Sequence, residues 1–222
     1  MKQADNIQAI KKNMSVFSLI QTLQEIMITN TIQDIRADVV KYFDEGALLA
    51  DTEEIHFSPD NRYYFKSNYY RQTDKNHNWI VSKIQVFQTD NNQEIFEFIR
   101  NDDSLFHGWL TTSGKSYLFL SEDIEGKSIL DLSDGSFYSY SFEDDTFIWC
   151  EYYPSPDGKR LAVIGCYWAC PYEILVFDTS EPTRFPFKEL YRHDTFQEKL
   201  EWLDNVTLKI SGNTDSKIVV IE

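Results

Sequence analysis

Three cysteines and two pairs of adjacent aspartates are the groups in this 222-residue chain most able to bind or react. Cys166 and Cys170 share the segment Cys166-Tyr167-Trp168-Ala169-Cys170-Pro171, with three residues between them. Two thiols at that spacing can ligate a metal, close a disulfide or lie packed as small apolar groups. A structural zinc needs about four ligands. Cys150 is the remaining thiol, and His56, His77, His107 and His193 stand singly, so Cys166 and Cys170 are weak metal candidates. Asp102-Asp103 and Asp144-Asp145 are paired carboxylates that could hold a divalent cation or divide acid and base roles. Acids are abundant, however, at 36 Asp+Glu against 21 Lys+Arg. Adjacent pairs therefore arise from composition alone, and a solvated loop is the plainer reading.

Signatures of catalysis fail on inspection. Ser113-Gly114-Lys115-Ser116 ends like a phosphate-binding loop, but five residues separate Gly108 from Gly114. The motif needs four, and it needs a following helix that the strand-like flanks do not supply. Neither a Gly-x-Ser-x-Gly elbow nor a Gly-x-Gly-x-x-Gly loop occurs. Asp131-Leu132-Ser133-Asp134-Gly135 lacks the acid spacing and closing Glu of a calcium loop. No catalytic residue and no cofactor is assigned, and the balance tilts away from an enzyme.

These groups sit on an acidic globular chain. The net charge is −15, with 42% hydrophobic and 15% aromatic residues. Like charge disfavours nucleic acid and anionic membrane as partners. No apolar run approaches the ~18 residues of a membrane span. The polar start carries no secretion signal, so the cytoplasm is the default location and a reducing compartment suits free thiols. The sequon Asn205-Val206-Thr207 has no meaning without secretion.

Two regions position the candidates, and their hydrophobic periods differ. From about Asp5 to Glu45 the spacing predicts helices. Ile7, Ile10, Met14, Phe17, Ile20, Leu23 and Met27 form one stripe, and Ile32, Ile35, Val39, Val40 and Phe43 form a second. Thr29-Asn30-Thr31 divides them, and Gly46 closes the second. Residues 1–46 are read as a helical segment packed on or capping the rest, with homo-oligomer formation through the same stripes as the alternative.

Residues 47–222 read as antiparallel β-structure, in short aromatic and β-branched runs parted by turn residues. The runs recur. Ser58-Pro59-Asp60-Asn61, Thr112-Ser113-Gly114-Lys115, Ser155-Pro156-Asp157-Gly158 and Trp202-Leu203-Asp204-Asn205 each precede a strand. Further on in each repeat comes an echo, as in Lys83–Phe87, Lys127–Leu132, Glu173–Asp178 and Lys217–Ile221. A unit of forty-odd residues with four strands is the size of a propeller blade. The pattern resembles the β-propeller repeats of the TolB and WD-repeat type, with the segment Tyr153–Asp178 nearest to it. The resemblance implies four-stranded blades in about four repeats, as an open arc or a small propeller. A β-sandwich is the alternative. The final repeat holds only three strand candidates, which predicts an open edge covered by helices or by a strand from Ala47–Ala50.

Blade geometry then sorts the connections by end. The Ser-Pro-Asp-Gly-type turns share one face. The opposite face collects Lys66–Trp79, Arg100–His107, Ser121–Gly126, Glu143–Thr146, Gly165–Pro171 and Arg192–Phe196. That face gathers Asp102, Asp103, Asp144 and Asp145 with the aromatics Tyr69, Tyr70, Trp79, Tyr167 and Trp168. Acid steers a basic protein partner and aromatics anchor it. The reading is a non-enzymatic protein-binding module, of which an inhibitor or immunity-like protein is one version. An enzyme, a small-ligand or divalent-cation binder using the channel, and a structural subunit of an assembly are the alternatives.

Overall fold

The computed structural model describes residues 53–74, 77–100, 107–121, 127–140, 147–167, 170–194, 199–212 and 215–222, with Val40, Phe43, Leu48 and Leu49. Four antiparallel sheets follow one another along the chain, each a meander of consecutive strands. The first holds β1 (Glu54–Phe57), β2 (Tyr63–Asp74), β3 (His77–Gln88) and β4 (Glu94–Arg100). The second holds β5 (His107–Thr112), β6 (Lys115–Ser121), β7 (Lys127–Asp131) and β8 (Phe137–Tyr140). The third holds β9 (Ile148–Pro154), β10 (Arg160–Cys166), β11 (Tyr172–Asp178) and β12 (Glu189–Asp194). The fourth has three strands, β13 (Lys199–Trp202), β14 (Thr207–Ser211) and β15 (Ser216–Val220).

The repeat in the sequence is a repeat of hydrogen bonds. Ser58 Oγ donates to Asp60 and accepts from the Tyr63 amide, at 2.8 and 3.0 Å. Ser155 Oγ does the same with Asp157 and Arg160, at 2.8 and 3.0 Å. A second bond ties the end of each third strand to the start of the second. Its donors are the amides of Thr89, Leu132, Thr179 and Ile221, and its acceptors the carbonyls of Arg62, Ser116, Lys159 and Val206. Asp134-Gly135 closes the β7–β8 hairpin, with Gly135 at φ +75°.

Apolar clusters join successive sheets. Phe65, Ile84, Val86 and Phe98 of the first meet Leu118, Leu120 and Leu130 of the second. Tyr117 and Phe119 point the other way, against Phe147, Trp149, Leu161 and Val163. Ala162, Ile164 and Val176 of the third sheet meet Leu200, Leu208 and Ile210 of the fourth. This explains the sequence pattern. Strands β6 and β10 are continuous apolar runs because both their faces are buried. Strand β14 alternates because one face is buried, and β2 alternates likewise over residues 65–69. The outer faces of the end sheets keep Ile55 and Phe57 exposed in the first and Ile218 and Val220 in the fourth. Four sheets stacked in chain order are a propeller-like arrangement and not a two-layer sandwich.

Two expected loops change. Lys66–Trp79 is no loop: β2 and β3 are each 12 residues long and pair from Tyr63↔Gln88 to Asp74↔His77. The buried face there carries Ser67 and Ser82, and these small polar groups broke the apolar alternation. Arg192 to Asp194 likewise belong to β12. The predicted helices fall on residues outside the described ones. Of the strand expected at Ala47–Ala50, Leu48 bridges Tyr70 and the Leu49 amide donates to the Tyr69 carbonyl at 2.9 Å. That pairing extends the edge of the first sheet.

Candidate functional site

The stack has two ends. At one, the turns of successive repeats touch. Arg62 Nη2 donates to Ser116 Oγ at 2.8 Å, and Arg160 Nη1 to the Asn205 carbonyl at 3.3 Å. At the other, Arg100 Nη2 donates to Ser121 Oγ, and Lys127 Nζ to the Phe147 carbonyl at 3.2 Å. The strand ends at Arg100, Ser121 and Lys127, and Phe147 just before β9, lie at this second end.

Four aspartates at the turn end are committed to structure. Asp60 accepts from the Arg62 side chain at 2.6 Å. Asp131 accepts from Lys115 Nζ at 2.8 Å and from the Ser133 amide at 2.9 Å. Asp178 accepts from the Ser180 amide at 2.9 Å, and Asp204 from those of Val206 and Thr207 at 2.8 and 2.7 Å. All four carboxyls lie below the usual range. Burial opposes the charge on Asp60 and Asp131, and the hydrogen bonds outweigh it. At Asp178 the Ser180 bonds dominate, and at Asp204 the Val206 amide does.

The second end is different. Tyr69 is buried, and its hydroxyl donates to Glu54 Oε2 at 3.2 Å. Burial and that carboxylate push its phenol up to about 12. Tyr70 is half-buried, with its ring 5.0 Å from the Phe43 ring, edge-on. Tyr167 packs edge-on against Phe147 at 5.1 Å, and Arg192 Nη2 donates to its hydroxyl at 3.2 Å. Arg192 also bonds Glu173 and Glu189, at 2.6 and 2.8 Å. Trp79 lies in β3 opposite Gln72. Asp102, Asp103, Asp144, Asp145 and Trp168 lie outside the described residues.

Sequence reasoning missed a cluster between the first strands of the first two sheets. His56 of β1 and His107 of β5 have ring centroids 4.3 Å apart, and Phe65 packs against both. His56 Nε2 is 3.4 Å from Glu54 Oε2. Glu54 and His56 alternate along one strand, which the sequence does show. Their meeting with His107 depends on sheet stacking. Among the described residues, no three His, Cys, Asp or Glu side chains converge as metal ligands.

The three thiols lie on or beside the third sheet. Cys170 is exposed, and its amide donates to the Tyr167 carbonyl at 3.0 Å. Cys166 of β10 instead pairs with Ile148 of β9, two residues from Cys150 on that strand, and all three thiols are free.

A chain of stacked, sequential four-stranded meanders has known counterparts. This chain is similar to β-propellers. The β-propeller domain of Swd1 from Myceliophteria thermophila superposes on 85% of it at TM-score 0.49 and 10% identity, using 55% of that domain. TolB from Acinetobacter baumannii covers 75% of it at TM-score 0.40 and 13% identity, with 39% of TolB matched. No protein-family model matches the chain. An uncharacterised protein of Acanthamoeba polyphaga mimivirus is 25% identical over 142 residues, 58% of this chain. The match spans 57% of that viral protein, so the chain covers about half the length of its relative. Among the described residues no helix is long and apolar enough to cross a membrane.

In propeller terms the blades run from β1–β4 to β13–β15, with β15 as the outer strand of a three-stranded last blade.

Proposed function

We propose that this propeller-like stack is a protein-binding module that recognises a basic partner through the loop end opposite its turns. One observation carries the reading, the run of acids that the sequence places in the connections opposite the turns. Turn-end aspartates are bound up in local hydrogen bonds. In the sequence the connections at the other end carry nine acids, Asp102, Asp103, Glu122, Asp123, Glu125, Glu143, Asp144, Asp145 and Glu198. Arg192 donates to the Tyr167 hydroxyl, a hydrogen-bonded aromatic that could anchor a partner. Charge of one sign at one end steers encounter with the opposite sign. An inhibitor or immunity-like role towards a basic protein is the specific form of this proposal.

The test is capture of partners on the intact protein, with a charge-reversed variant (Asp102, Asp103, Asp144 and Asp145→Lys) as control. A basic protein retained by the first and lost by the second is the expected result. Its affinity should fall ~10-fold or more between low and moderate salt. Equal retention by both proteins, or indifference to salt, overturns the assignment.

A second reading is favoured by the His56–His107 stack beside Glu54 and Tyr69. In it, a small ligand or divalent cation sits between β1 and β5. Thermal midpoints that stay flat across a panel of divalent cations would remove the cation version.

A further inference from the structure

The first sheet has a face that the stack does not use. Phe65 of β2 and Ile84 of β3 point to the second sheet. Side chains alternate along a strand, so Tyr64 and Tyr70 point away from it. Their ladder partners Phe87 and Val81 do the same, as do Ile55 and Phe57 of β1. At the turn end this outer face is bare. Phe57 is 53% and Ile55 46% exposed, beside Tyr64 stacked on Phe87 at 5.0 Å. Towards the second end it is covered. Val81 is fully buried although it points away from the stack. The Phe43 ring packs edge-on to Tyr70 at 5.0 Å, and Lys83 Nζ lies 5.6 Å over the Phe43 ring. The Phe43 amide donates to the Val40 carbonyl at 3.4 Å, a helix-like step of three residues.

We propose that the outer face of the first sheet is a docking surface for the chain's own segment 31–43, which lies on it as an amphipathic helix with Ile32 and Ile35 over Phe57 and Tyr64. Residues 31–39 lie outside the described ones, and three features name them as the occupant. The chain reaches this face already anchored, since Phe43 closes the stripe Ile32, Ile35, Val39, Phe43. At 100° per residue these four side chains fall within about 80° of one another, and Val40 falls about 60° beyond Phe43. Val40 is 62% exposed, as a residue off the stripe should be. The lengths also agree. A helix rises about 16 Å from Phe43 back to Ile32. Strand β2 rises about 20 Å from Tyr70 to Tyr64. The helix therefore carries its apolar stripe from the covered part of the face to the bare part. Gln33, Asp34 and Lys41 fall on its opposite side, towards water. Burial of Ile55 and Phe57 holds the segment down and closes this end of the stack to a second copy.

The experiment oxidises two paired-cysteine variants of the full chain in which Cys150, Cys166 and Cys170 are replaced by Ser. Ile32→Cys with Phe57→Cys should close a disulfide within one chain in most molecules. Ile32→Cys with Val220→Cys, on the outer face of the last sheet, should not. A near-ultraviolet spectrum matching the parent's shows that each variant is folded. A second measurement leaves the cysteines in place. Ile35→Asp should lower the urea midpoint and raise binding of an apolar dye, and Val40→Asp should change neither. A disulfide between two chains, the same extent of bridging in both pairs, no bridge in either, or a midpoint unmoved by Ile35→Asp overturns the proposal.

Discussion

A Cβ atom built on Gly158 would lie 2.1 Å from the carbonyl oxygen of Thr111, in the neighbouring sheet. The turn of the third repeat is therefore seated directly on the second sheet, and only glycine fits. Gly158 also has φ +67°, and its amide donates to the Ser155 carbonyl at 2.9 Å. Gly114, the equivalent residue one repeat earlier, has φ +77° with nothing within 4 Å of its Cβ position. Gly114→Ala should cost only the left-handed backbone strain, about 1 kcal/mol. Gly158→Ala should cost roughly 3 kcal/mol or more, since backbone of a second sheet must move. Urea midpoints of the two variants measure the difference, and equal losses would show that the turn is not seated as described.

Acid stability follows from the turn-end carboxyls. Asp60, Asp131, Asp178 and Asp204 have lowered values when folded. Depressed groups add stability in full above the unfolded value, about pH 4, and lose it as pH falls through the folded value. Asp131 is the most informative because its side chain is 5% exposed. Asp131→Asn should lower stability by about 2 kcal/mol at neutral pH. The gap from the parent should narrow below about pH 3. Chemical unfolding across pH reads it directly.

Tyr69 and Tyr153 titrate late. Burial comes first and Glu54 second in pushing Tyr69 up to about 12, and burial with Glu151 does the same for Tyr153. For a raised phenol the stabilising contribution is complete below the ordinary value, near 10, and fades as pH climbs through the folded one. Spectrophotometric titration of Tyr69→Phe and Tyr153→Phe should each remove one chromophore from a phase later than that of exposed tyrosines. Loss from the phase near pH 10 instead would contradict the contacts.

The end sheets predict a further asymmetry. Ile218 is 63% exposed on the outer face of the last sheet, whereas Leu208 of the same sheet is fully buried. Ile218→Lys should change stability by less than about 0.5 kcal/mol. Leu208→Ala should cost about 3 kcal/mol. A large loss for Ile218→Lys would mean that the outer face is covered, as in a closed ring.

Much of the fold was legible in the chain itself. Ser58-Pro59-Asp60-Asn61 and Ser155-Pro156-Asp157-Gly158 announce the same turn because Ser, Asp and a residue tolerant of left-handed φ make it locally. The number and order of sheets follow from those recurring turns. The length of the β2–β3 hairpin was not legible, since Ser67 and Ser82 occupy buried positions that hydrophobic periodicity reads as exposed.

Local chemistry sets strands and turns, so residue order was enough for them. Pairing across sheets is set by packing, and residue order is silent there. Cys166 and Cys170 are close in sequence, yet the β9–β10 ladder sets Cys166 across from Ile148, two residues from Cys150. His56 meets His107, and Gly158 meets Thr111, only because whole sheets stack face to face. A stack is held by summed apolar burial, which no short motif records. The sequence therefore determined the blades, and the tertiary structure decided which side chains the blades bring together.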